Sequence, residues 1–535
     1  MTPITSDSHV LAPLLRHGNT PDIADRTAIR WWNFGRRRAS FGPELTYREL
    51  TTRIENTARG LRSAGLKSGD RVLFSIRPRP AGIILALAIV RAGGSIVFVD
   101  PGSTPELFAA RVAAAQPRFA ATESLLYALS CAPLRGIARK RGLLLPDYRR
   151  LDVRHFYEGR RLPGVPKGAL PVGALSGRAR PDVELPELDP HREALVVFTS
   201  GTTKDPKAVV HTGGSLQAAS QMLAQVYSAS PGEFVHTEQM LLGLPALQNG
   251  ATWSLPASGP GEKLIQFASG LDGAVVTYLV PRDLHRLLNG VTRGQVPAKG
   301  PRIGLIGGGP APAELLRRAH EAFPDTKWLS VYGMTEMLPV SVATVEEKLK
   351  HLQVGDCVGK PLPGIKARLA SEPVGELILS GPNLMSGYLN KERAHEQHTG
   401  DLARIGPEGE IILVGRKKDM LIRGVTNIYP GLFEPRLTQL RGVVNAAMVG
   451  IRTEYGDDRI VLAIQPETWS QADTDISSEH AVLKEVEADL AHIIDHDALP
   501  DIVVAVRDFP HSGRASKLDR LALAQKIAAW EGSGL

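Results

Sequence analysis

Residues 198–212 read Phe-Thr-Ser-Gly-Thr-Thr-Lys-Asp-Pro-Lys-Ala-Val-Val-His-Thr, and this stretch says more about fold and function than any other. The apolar run just before the loop, residues 195–198, predicts a buried strand. The loop that follows can present backbone N–H groups and hydroxyls to phosphate oxygens, and Lys207 adds a positive charge. The common P-loop pattern G-x-x-x-x-G-K-[ST] is absent from it. Taken alone, the stretch also fits a solvated turn rich in serine and threonine.

The segment from Thr199 to Lys207 resembles the signature loop of the adenylate-forming superfamily, which includes acyl-CoA synthetases, luciferases and the adenylation domains of peptide synthetases. The family pattern has glycine where this chain has Lys204 and Ala208. Both differences stiffen the loop, because glycine reaches backbone conformations that other residues avoid. The resemblance implies that the phosphates of ATP contact Thr199, Ser200, Gly201, Thr202, Thr203 and Lys207.

Further motifs resemble the parts of the family that bind the nucleotide. Tyr332-Gly333-Met334-Thr335-Glu336 resembles Y-G-x-T-E, in which the aromatic residue stacks on adenine, the threonine reaches the α-phosphate and the glutamate binds Mg²⁺. A magnesium ion that bridges phosphates takes only one or two protein carboxylates. Gly307-Gly308-Gly309 resembles the turn that lies along the adenine. Asp401 matches the aspartate that binds the ribose hydroxyls, and Arg416 resembles the arginine that contacts the nucleotide.

The C-terminal part of the chain supplies the remaining positions of the family pattern. Lys517 resembles the catalytic lysine, which completes an expected catalytic set with Thr335 and Glu336. Lys418 falls on the hinge position of the family, and Gly424 resembles the glycine that lines the thiol-entry path. Gly387-Tyr388-Leu389 resembles a landmark whose role is mainly structural.

Local patterns predict an α/β fold. Thr46, with Glu49 three residues later, predicts a helix with a capping box. Segments 69–76 and 94–100 predict strands on either side of a helix over 80–92. Strands that alternate with helices indicate a mostly parallel, wound sheet.

After the first α/β block, the patterns and the resemblance predict four further regions along the chain. Residues 131–190 are rich in Arg, Pro and Gly, which predicts an irregular insertion. A second α/β block and a β-rich block follow it, so that residues 1–415 form a large domain of wound α/β subdomains plus a β-rich subdomain. Residues 416–535 form a small, mobile α+β domain with its hinge near Lys418.

Composition narrows the class of protein without identifying the reaction. A chain of 535 residues with a hydrophobic fraction of 43% predicts a globular protein of more than one core. The net charge of +7 is spread out, so we expect no nucleic-acid partner. Cys131 and Cys357 provide neither a disulfide framework nor metal-ligand spacing, which favours a reducing cytoplasm. The longest apolar run, residues 83–90, is too short for a membrane span.

The resemblance implies activation of a hydrophobic carboxylic acid by ATP, giving an acyl-adenylate and pyrophosphate, with transfer of the acyl group to coenzyme A. The expected ligands are ATP, Mg²⁺, CoA and the acid; a carrier-protein thiol is a second possible acceptor, and a homodimer is a possible assembly. Apolar and small residues favour a bulky acid over acetate. The candidate acyl-pocket residues are His236, Gly243, Met337 and Leu338, and His236 is at least as readily a core or surface histidine.

Two alternatives remain open. Segments 332–340 and 100–102 are similar to stretches of bacterial olefin β-lactone synthetases, which use ATP to close a β-hydroxy acid into a lactone. The departures from the family pattern at Lys204, Ala208 and Ser516 suggest instead a non-catalytic nucleotide-binding protein. The residue types that the chemistry needs are nevertheless retained at Lys207, Glu336, Asp401, Arg416 and Lys517, which argues against the second alternative.

Overall fold

The structure is a computed structural model that describes residues 8–34, 39–42, 44–99, 105–131, 134–135, 145–198, 207–257, 264–309, 311–423, 426–452, 458–470, 474–494, 498–512 and 517–532. None of the helices in these ranges is both long and apolar enough to span a bilayer. Some positions singled out in the sequence lie outside the described residues: Thr199, Ser200, Gly201, Thr202, Thr203, Lys204, Gly424, Ser516 and the segment 100–102.

An eight-stranded sheet forms the centre of the N-terminal region, and its first two strands run antiparallel to their neighbours while the rest are parallel. Its strands, in spatial order, are Gly387–Tyr388, Ala208–Thr212, Glu193–Phe198, Ser95–Phe98, Arg71–Ser75, Phe119–Glu123, Arg154–Glu158 and Leu170–Pro171. The predicted wound α/β architecture is confirmed.

The helix predicted from Thr46 and Glu49 is present as Tyr47–Ser63 with both hydrogen bonds of the capping box. It packs against the helix Pro80–Arg91, whose residues 82–89 are all buried. A helix that is apolar on every side belongs in a core. The apolar run noted in the sequence is therefore a core helix. The other helices of this region are Ala12–His17, Pro21–Ala24, Pro105–Ala115 and Ser124–Ser130.

The insertion predicted over residues 131–190 is more regular than its composition suggested. Within its described part, the strands Arg154–Glu158 and Leu170–Pro171 extend the main sheet. The 3₁₀ turn Tyr148–Arg150 precedes them, and the 3₁₀ turns Val172–Ala174 and Ser176–Arg178 follow them. Phe156 and Tyr157 are buried there. Short strands among many Arg, Pro and Gly residues carry too little periodic signal to be seen in the sequence.

Two further sheets contain strands of the second α/β block, and the first of them also includes three strands from the start of the chain. One contains Phe234–His236, Thr252–Leu255, Thr27–Phe34 and Ala39–Phe41, with Leu45–Thr46 beside it. The other contains Val276–Leu279, Ile303–Ile306, Lys327–Met334 and Met337–Ala343. The connecting helices are Gly213–Tyr227, Met240–Gln248, Leu264–Ala268, Pro281–Thr292, Ala313–Ala322 and Val345–Lys350.

The β-rich block predicted to end near Val414 is a five-stranded antiparallel sheet in the order Asp356–Gly359, Ile411–Arg416, Gln397–Ile405, Gly375–Ser380 and Lys366–Leu369. The 3₁₀ turn Lys417–Asp419 follows it directly.

The C-terminal region has hydrophobic cores of its own, built from residues between 421 and 527. Its main sheet contains Val443–Arg452, Asp458–Pro466, Ile502–Val506 and Ile476–Ser477, flanked by the helices Glu434–Leu437, Ala481–Ile493 and Arg520–Gly532. Two short strand pairs, Leu421–Arg423 with Thr426–Ile428 and His511–Ser512 with Lys517–Leu518, and the 3₁₀ turn Pro430–Leu432 complete it. The division of the chain into a large and a mobile small domain stays a prediction.

Candidate active site

The predicted phosphate-binding loop connects two paired strands. Glu193–Phe198 ends at the loop and Ala208–Thr212 begins after it, with Phe198 opposite Ala208 in the antiparallel register. Ala208, one of the departures from the family pattern, is therefore a buried strand residue. Lys207, the last residue before the second strand, is exposed, and its ammonium lies 5.4 Å from the centre of the Tyr388 ring.

Thr335 and Glu336 form the two-residue tip of a hairpin between the strands Lys327–Met334 and Met337–Ala343. The Thr335 side chain is exposed, whereas Glu336 is buried and accepts a hydrogen bond of 2.9 Å from the Tyr388 hydroxyl. A tight hairpin turn holds both side chains at a defined position relative to the strand ends.

His211 supports this hairpin tip from the neighbouring sheet. Its Nε2 lies 2.8 Å from the carbonyl oxygen of Thr335, and its Nδ1 lies 3.3 Å from the Ser215 hydroxyl. Burial lowers the pKa of His211, so the neutral imidazole can donate from Nε2 to the carbonyl. No sequence motif pointed to a role for His211, and only its place four residues after Lys207 connects it with the loop.

Asp401 is the centre of a second polar group. It lies opposite Arg416 in the antiparallel pair formed by Gln397–Ile405 and Ile411–Arg416. Its Oδ1 is 2.8 Å from Nε of Arg416, and its Oδ2 accepts a hydrogen bond of 2.7 Å from the Tyr332 hydroxyl. Burial and the adjacent Asp401 carboxylate raise the pKa of Tyr332 well above its usual value, so the hydroxyl stays a donor.

The first two positions of the turn 307–309 favour glycine, for different reasons. A Cβ on Gly307 would lie 2.9 Å from the Tyr278 hydroxyl oxygen and 3.2 Å from the Val331 carbonyl oxygen. Gly308 has φ of +80°, which favours glycine. The turn follows the strand Ile303–Ile306, which runs beside the strand that carries Tyr332. The carboxyl ends of parallel strands are the usual place for ligands in such sheets.

Lys517 comes from the C-terminal region and lies close enough to both polar groups to interact with them. Its side chain is exposed along part of its length, but partial loss of water around its ammonium lowers its pKa. The positive charges of Arg416 and Lys418 lower the pKa further, whereas the carboxylates of Asp401 and Glu336 oppose that shift. The structure therefore places the expected catalytic lysine within electrostatic range of Asp401, Arg416 and Glu336.

A cleft of about 340 Å³ opens beside Asp401. It is lined by Thr399, Gly400, Arg416, Lys417 and Lys418. The 3₁₀ turn that contains Lys418 therefore forms part of the cleft wall at the junction of the β-rich sheet with the C-terminal region.

The four acyl-pocket candidates do not form one cluster of side chains. His236 is completely buried, and its ring nitrogens lie 3.2 Å from the Ser254 hydroxyl and 3.2 Å from the Phe267 carbonyl oxygen. Gly243 packs against the ring of Trp253. Met337 is fully buried, and Leu338 is partly buried against Gly333. The contribution of His236 to an acyl pocket stays a prediction, and its core surroundings do not support it.

The family model for the AMP-binding enzymes matches residues 22–389, which is more than half of the chain. The chain belongs to this family. A feruloyl-CoA synthase of Amycolatopsis sp is 30% identical over 450 residues, covering 77% of this chain and 81% of that protein. An olefin beta-lactone synthetase of Stenotrophomonas maltophilia is 25% identical over 547 residues and covers 93% of both chains. This AMP-binding enzyme is therefore a member of an ATP-dependent, adenylate-forming ligase family.

Solved structures agree on the fold of this AMP-binding enzyme. The amide bond synthetase McbA from Marinactinospora thermotolerans superposes with a TM-score of 0.74 at 21% identity, covering 97% of this chain and 99% of that chain. The anthranilate CoA ligase AuaEII, solved with anthranoyl-AMP, superposes with a TM-score of 0.75 at 16% identity, covering 99% of this chain and 100% of that chain. At these identities the likeness establishes the adenylate-forming fold alone.

Proposed function

We propose that this AMP-binding enzyme activates a hydrophobic carboxylic acid with ATP and transfers the acyl group to coenzyme A. The observation that carries the proposal is the position of Lys517, whose charge interacts with Asp401 and Arg416 of one polar group and with Glu336 of the other. A lysine at that position can contact both a substrate carboxylate and the α-phosphate, so it would act as a catalytic residue in the first half-reaction.

In that half-reaction a carboxylate oxygen of the acid attacks the α-phosphorus of ATP. The bond between the α-phosphorus and the bridging oxygen breaks, and pyrophosphate leaves with the electron pair. Because negative charge accumulates on both reactants, positioning and charge neutralisation provide most of the catalysis. Lys517 and Lys207 supply positive charge, and Thr335 supplies a hydroxyl at the hairpin tip. In the second half-reaction the CoA sulfur attacks the acyl carbonyl and AMP leaves.

Glu336 fits a magnesium ion shared with the substrate phosphates. It is a single buried carboxylate, and the described ranges hold no group of three or more His, Cys, Asp or Glu side chains that could bind a metal by themselves. Magnesium sites at phosphates use one or two protein carboxylates, with water and phosphate oxygens as the other ligands. Bound there, the ion would offset negative charge on the phosphates.

Formation of a CoA thioester rests on the relatives. The feruloyl-CoA synthase is a named CoA-dependent relative, but its match covers 77% of this chain. The match to the olefin beta-lactone synthetase covers 93% of both chains, and this greater coverage keeps lactone formation as a second candidate. In that reaction the β-hydroxyl of the substrate itself, in place of a thiol, would attack the acyl carbonyl.

The deciding experiment is a panel of carboxylic acids, including fatty, aromatic and β-hydroxy acids, assayed for pyrophosphate release with and without CoA. We expect release that depends on a bulky hydrophobic acid and a CoA thioester detected by mass spectrometry. A β-hydroxy acid converted to its dehydrated lactone without CoA would favour the second candidate. No acid-dependent release across the panel, from protein that binds ATP, would overturn both and favour the non-catalytic alternative.

A further inference from the structure

Tyr388 contacts both functional parts of the phosphate side of the site. Its hydroxyl donates to Oε1 of Glu336 at 2.9 Å, and the face of its ring lies 5.4 Å from the ammonium of Lys207. The second distance is within the range of about 6 Å at which a cation is attracted by an aromatic face. One side chain therefore touches the expected metal-binding carboxylate and the cation at the end of the phosphate loop.

The backbone around Tyr388 is attached to the same two elements. Tyr388 pairs with Val209 in the strand that begins after the loop, and the Leu389 N–H donates to the Ala208 carbonyl at 2.8 Å. On the other side, the N–H of Met385 donates to the backbone carbonyl of Glu336 at 2.8 Å. Residues 385–389 thus hold the loop exit and the hairpin tip at a constant separation.

We propose that Tyr388 is a positioning residue that sets the orientation of the Glu336 carboxylate and the place of Lys207, so that metal and phosphates bind together. The inference rests on the proposed role of Glu336 as a magnesium ligand. Without the hydroxyl, the Glu336 carboxylate would have to lose rotational freedom when the metal binds. Partners that orient a metal-binding carboxylate in this way typically change metal affinity about 10- to 100-fold when they are removed.

The Tyr388 hydroxyl is the donor in its contact with the Glu336 carboxylate. The exchange of Tyr388 for Phe removes only this donor and keeps the ring beside Lys207. The exchange of Tyr388 for Leu removes both. These two variants separate the effect on the carboxylate from the effect on the lysine.

The test is the affinity for ATP measured by calorimetry on the full chain, once with Mg²⁺ and once with EDTA, and the measured quantity is the ratio of the two dissociation constants. In Tyr388→Phe we expect the increase in ATP affinity that Mg²⁺ produces to become smaller by about 10-fold or more. The ATP affinity measured in EDTA should change little. In Tyr388→Leu we expect the affinity in EDTA to fall as well, by roughly 2- to 5-fold, because a cation–π contact at an exposed lysine is lost.

Tyr47→Phe is the matched control, since the Tyr47 hydroxyl likewise donates one hydrogen bond, at 2.6 Å, but to the Ala251 carbonyl away from the site. Thermal unfolding of all three variants shows whether each is folded. The inference would be overturned if the ratio of the two ATP dissociation constants were the same in Tyr388→Phe as in wild type and Tyr47→Phe. It would also be overturned if Mg²⁺ did not change the ATP affinity of the wild-type protein. Neither measurement needs an acid or CoA, so failure of the acid panel would leave this result interpretable.

Discussion

Arg416 binds Asp401 across two paired strands, with 2.8 Å between Nε and Oδ1. Arg416 is the last residue of its strand and immediately precedes the 3₁₀ turn that contains Lys418. A carboxylate has about four lone-pair positions, so Asp401 can keep this ion pair and still accept from a ribose diol. In the proposed binding mode, the ion pair would hold the carboxylate in place for the ribose and would link nucleotide binding to the junction with the C-terminal region.

The first prediction concerns ATP affinity. Asp401→Ala should weaken ATP binding, because the ribose hydroxyls lose an acceptor whose charge-assisted hydrogen bond contributes about 1.5–3 kcal/mol. Tyr332→Phe is the control, since it removes one hydrogen bond to Asp401 but keeps the ring for stacking, and its loss should be clearly smaller. Calorimetric titration with ATP measures both; equal losses would mean that Asp401 acts through Tyr332 and not on the ribose.

The second prediction separates turnover from nucleotide affinity. Glu336→Gln keeps the size of the side chain and an oxygen that can accept from Tyr388, but removes the charge that a magnesium ion needs. We expect a large fall in kcat for ATP–pyrophosphate exchange and a higher Mg²⁺ requirement. The change in ATP affinity without metal should be small. If Glu336→Gln and Asp401→Ala behaved alike in the ATP titration, the roles assigned to the two carboxylates would be wrong.

The third prediction tests the catalytic lysine. Lys517→Ala should lower ATP–pyrophosphate exchange about 10²-fold or more, the usual cost of removing one charge-stabilising group. Lys526→Ala is the control, because Lys526 belongs to the same C-terminal region and is assigned no part in the site. Burial and neighbouring cations lower the pKa of Lys517. As the pH is raised, the wild-type rate of ATP–pyrophosphate exchange should therefore begin to fall at a lower pH than it would if the lysine had its ordinary pKa. A near-normal rate of ATP–pyrophosphate exchange in Lys517→Ala would show that Lys517 is not the catalytic lysine.

The sequence predicted the parts of this site in which chemistry restricts the residue type and the chain is contiguous. The hairpin tip at Thr335 and Glu336, the glycine turn at Gly307 and the aspartate at 401 are of this kind. Each is a contiguous motif made of the few residue types that a phosphate, a metal ion or a diol would accept as partners. The capping box at Thr46 could be predicted for the same reason, since its geometry needs only residues three apart.

Contacts between distant residues could not be predicted. The hydrogen bond from Tyr388 to Glu336 spans 52 positions, and the contact of His211 with Thr335 spans 124 positions. Nothing in either local pattern points to its partner. His236 is a related case: the sequence left both an acyl-pocket contact and a core position open, and both ring nitrogens have partners in the core, Ser254 and Phe267.

The fourth prediction concerns stability in mild acid. Burial lowers the pKa of His236 to about 3 and those of His9 and His285 to about 4. Each of these binds fewer protons folded than unfolded, so its stability contribution is complete above the unfolded value of about 6.5 and is lost as the pH falls towards the folded value. Chemical denaturation should therefore show that the free energy of unfolding decreases as the pH is lowered from roughly 6.5 to 5, a range above the pKa of most carboxylates.

The matched variants for this prediction are His236→Gln and His320→Gln. His236→Gln should reduce the pH slope by up to about 1.4 kcal/mol per pH unit, the value for one proton. His320 is exposed, so its replacement should leave the slope unchanged. A wild-type stability that stays constant over this pH range would contradict the prediction.

The last prediction tests the hinge and the order of the two half-reactions. Lys418 lies in the 3₁₀ turn Lys417–Asp419, where φ is typically about −50° to −70°. Proline fixes φ near −65°, so Lys418→Pro should be compatible with the conformation in which the charge of Lys517 interacts with Asp401, but it should hinder rotation to another conformation. Adenylation should therefore be retained while acyl transfer to CoA is lost. Lys418→Ala, which removes the charge but keeps the backbone free, should retain both.

Single-turnover assays that follow acyl-adenylate and final product separately would measure the two steps. Accumulation of the adenylate in Lys418→Pro, with normal conversion in Lys418→Ala, is the expected result. A lactone-forming enzyme would lose much less of its second step, because the attacking hydroxyl is already part of the bound substrate. If both steps fell together in folded Lys418→Pro, rotation about Lys418 would not separate them, and the second half-reaction would have to take place without the C-terminal region leaving its present position.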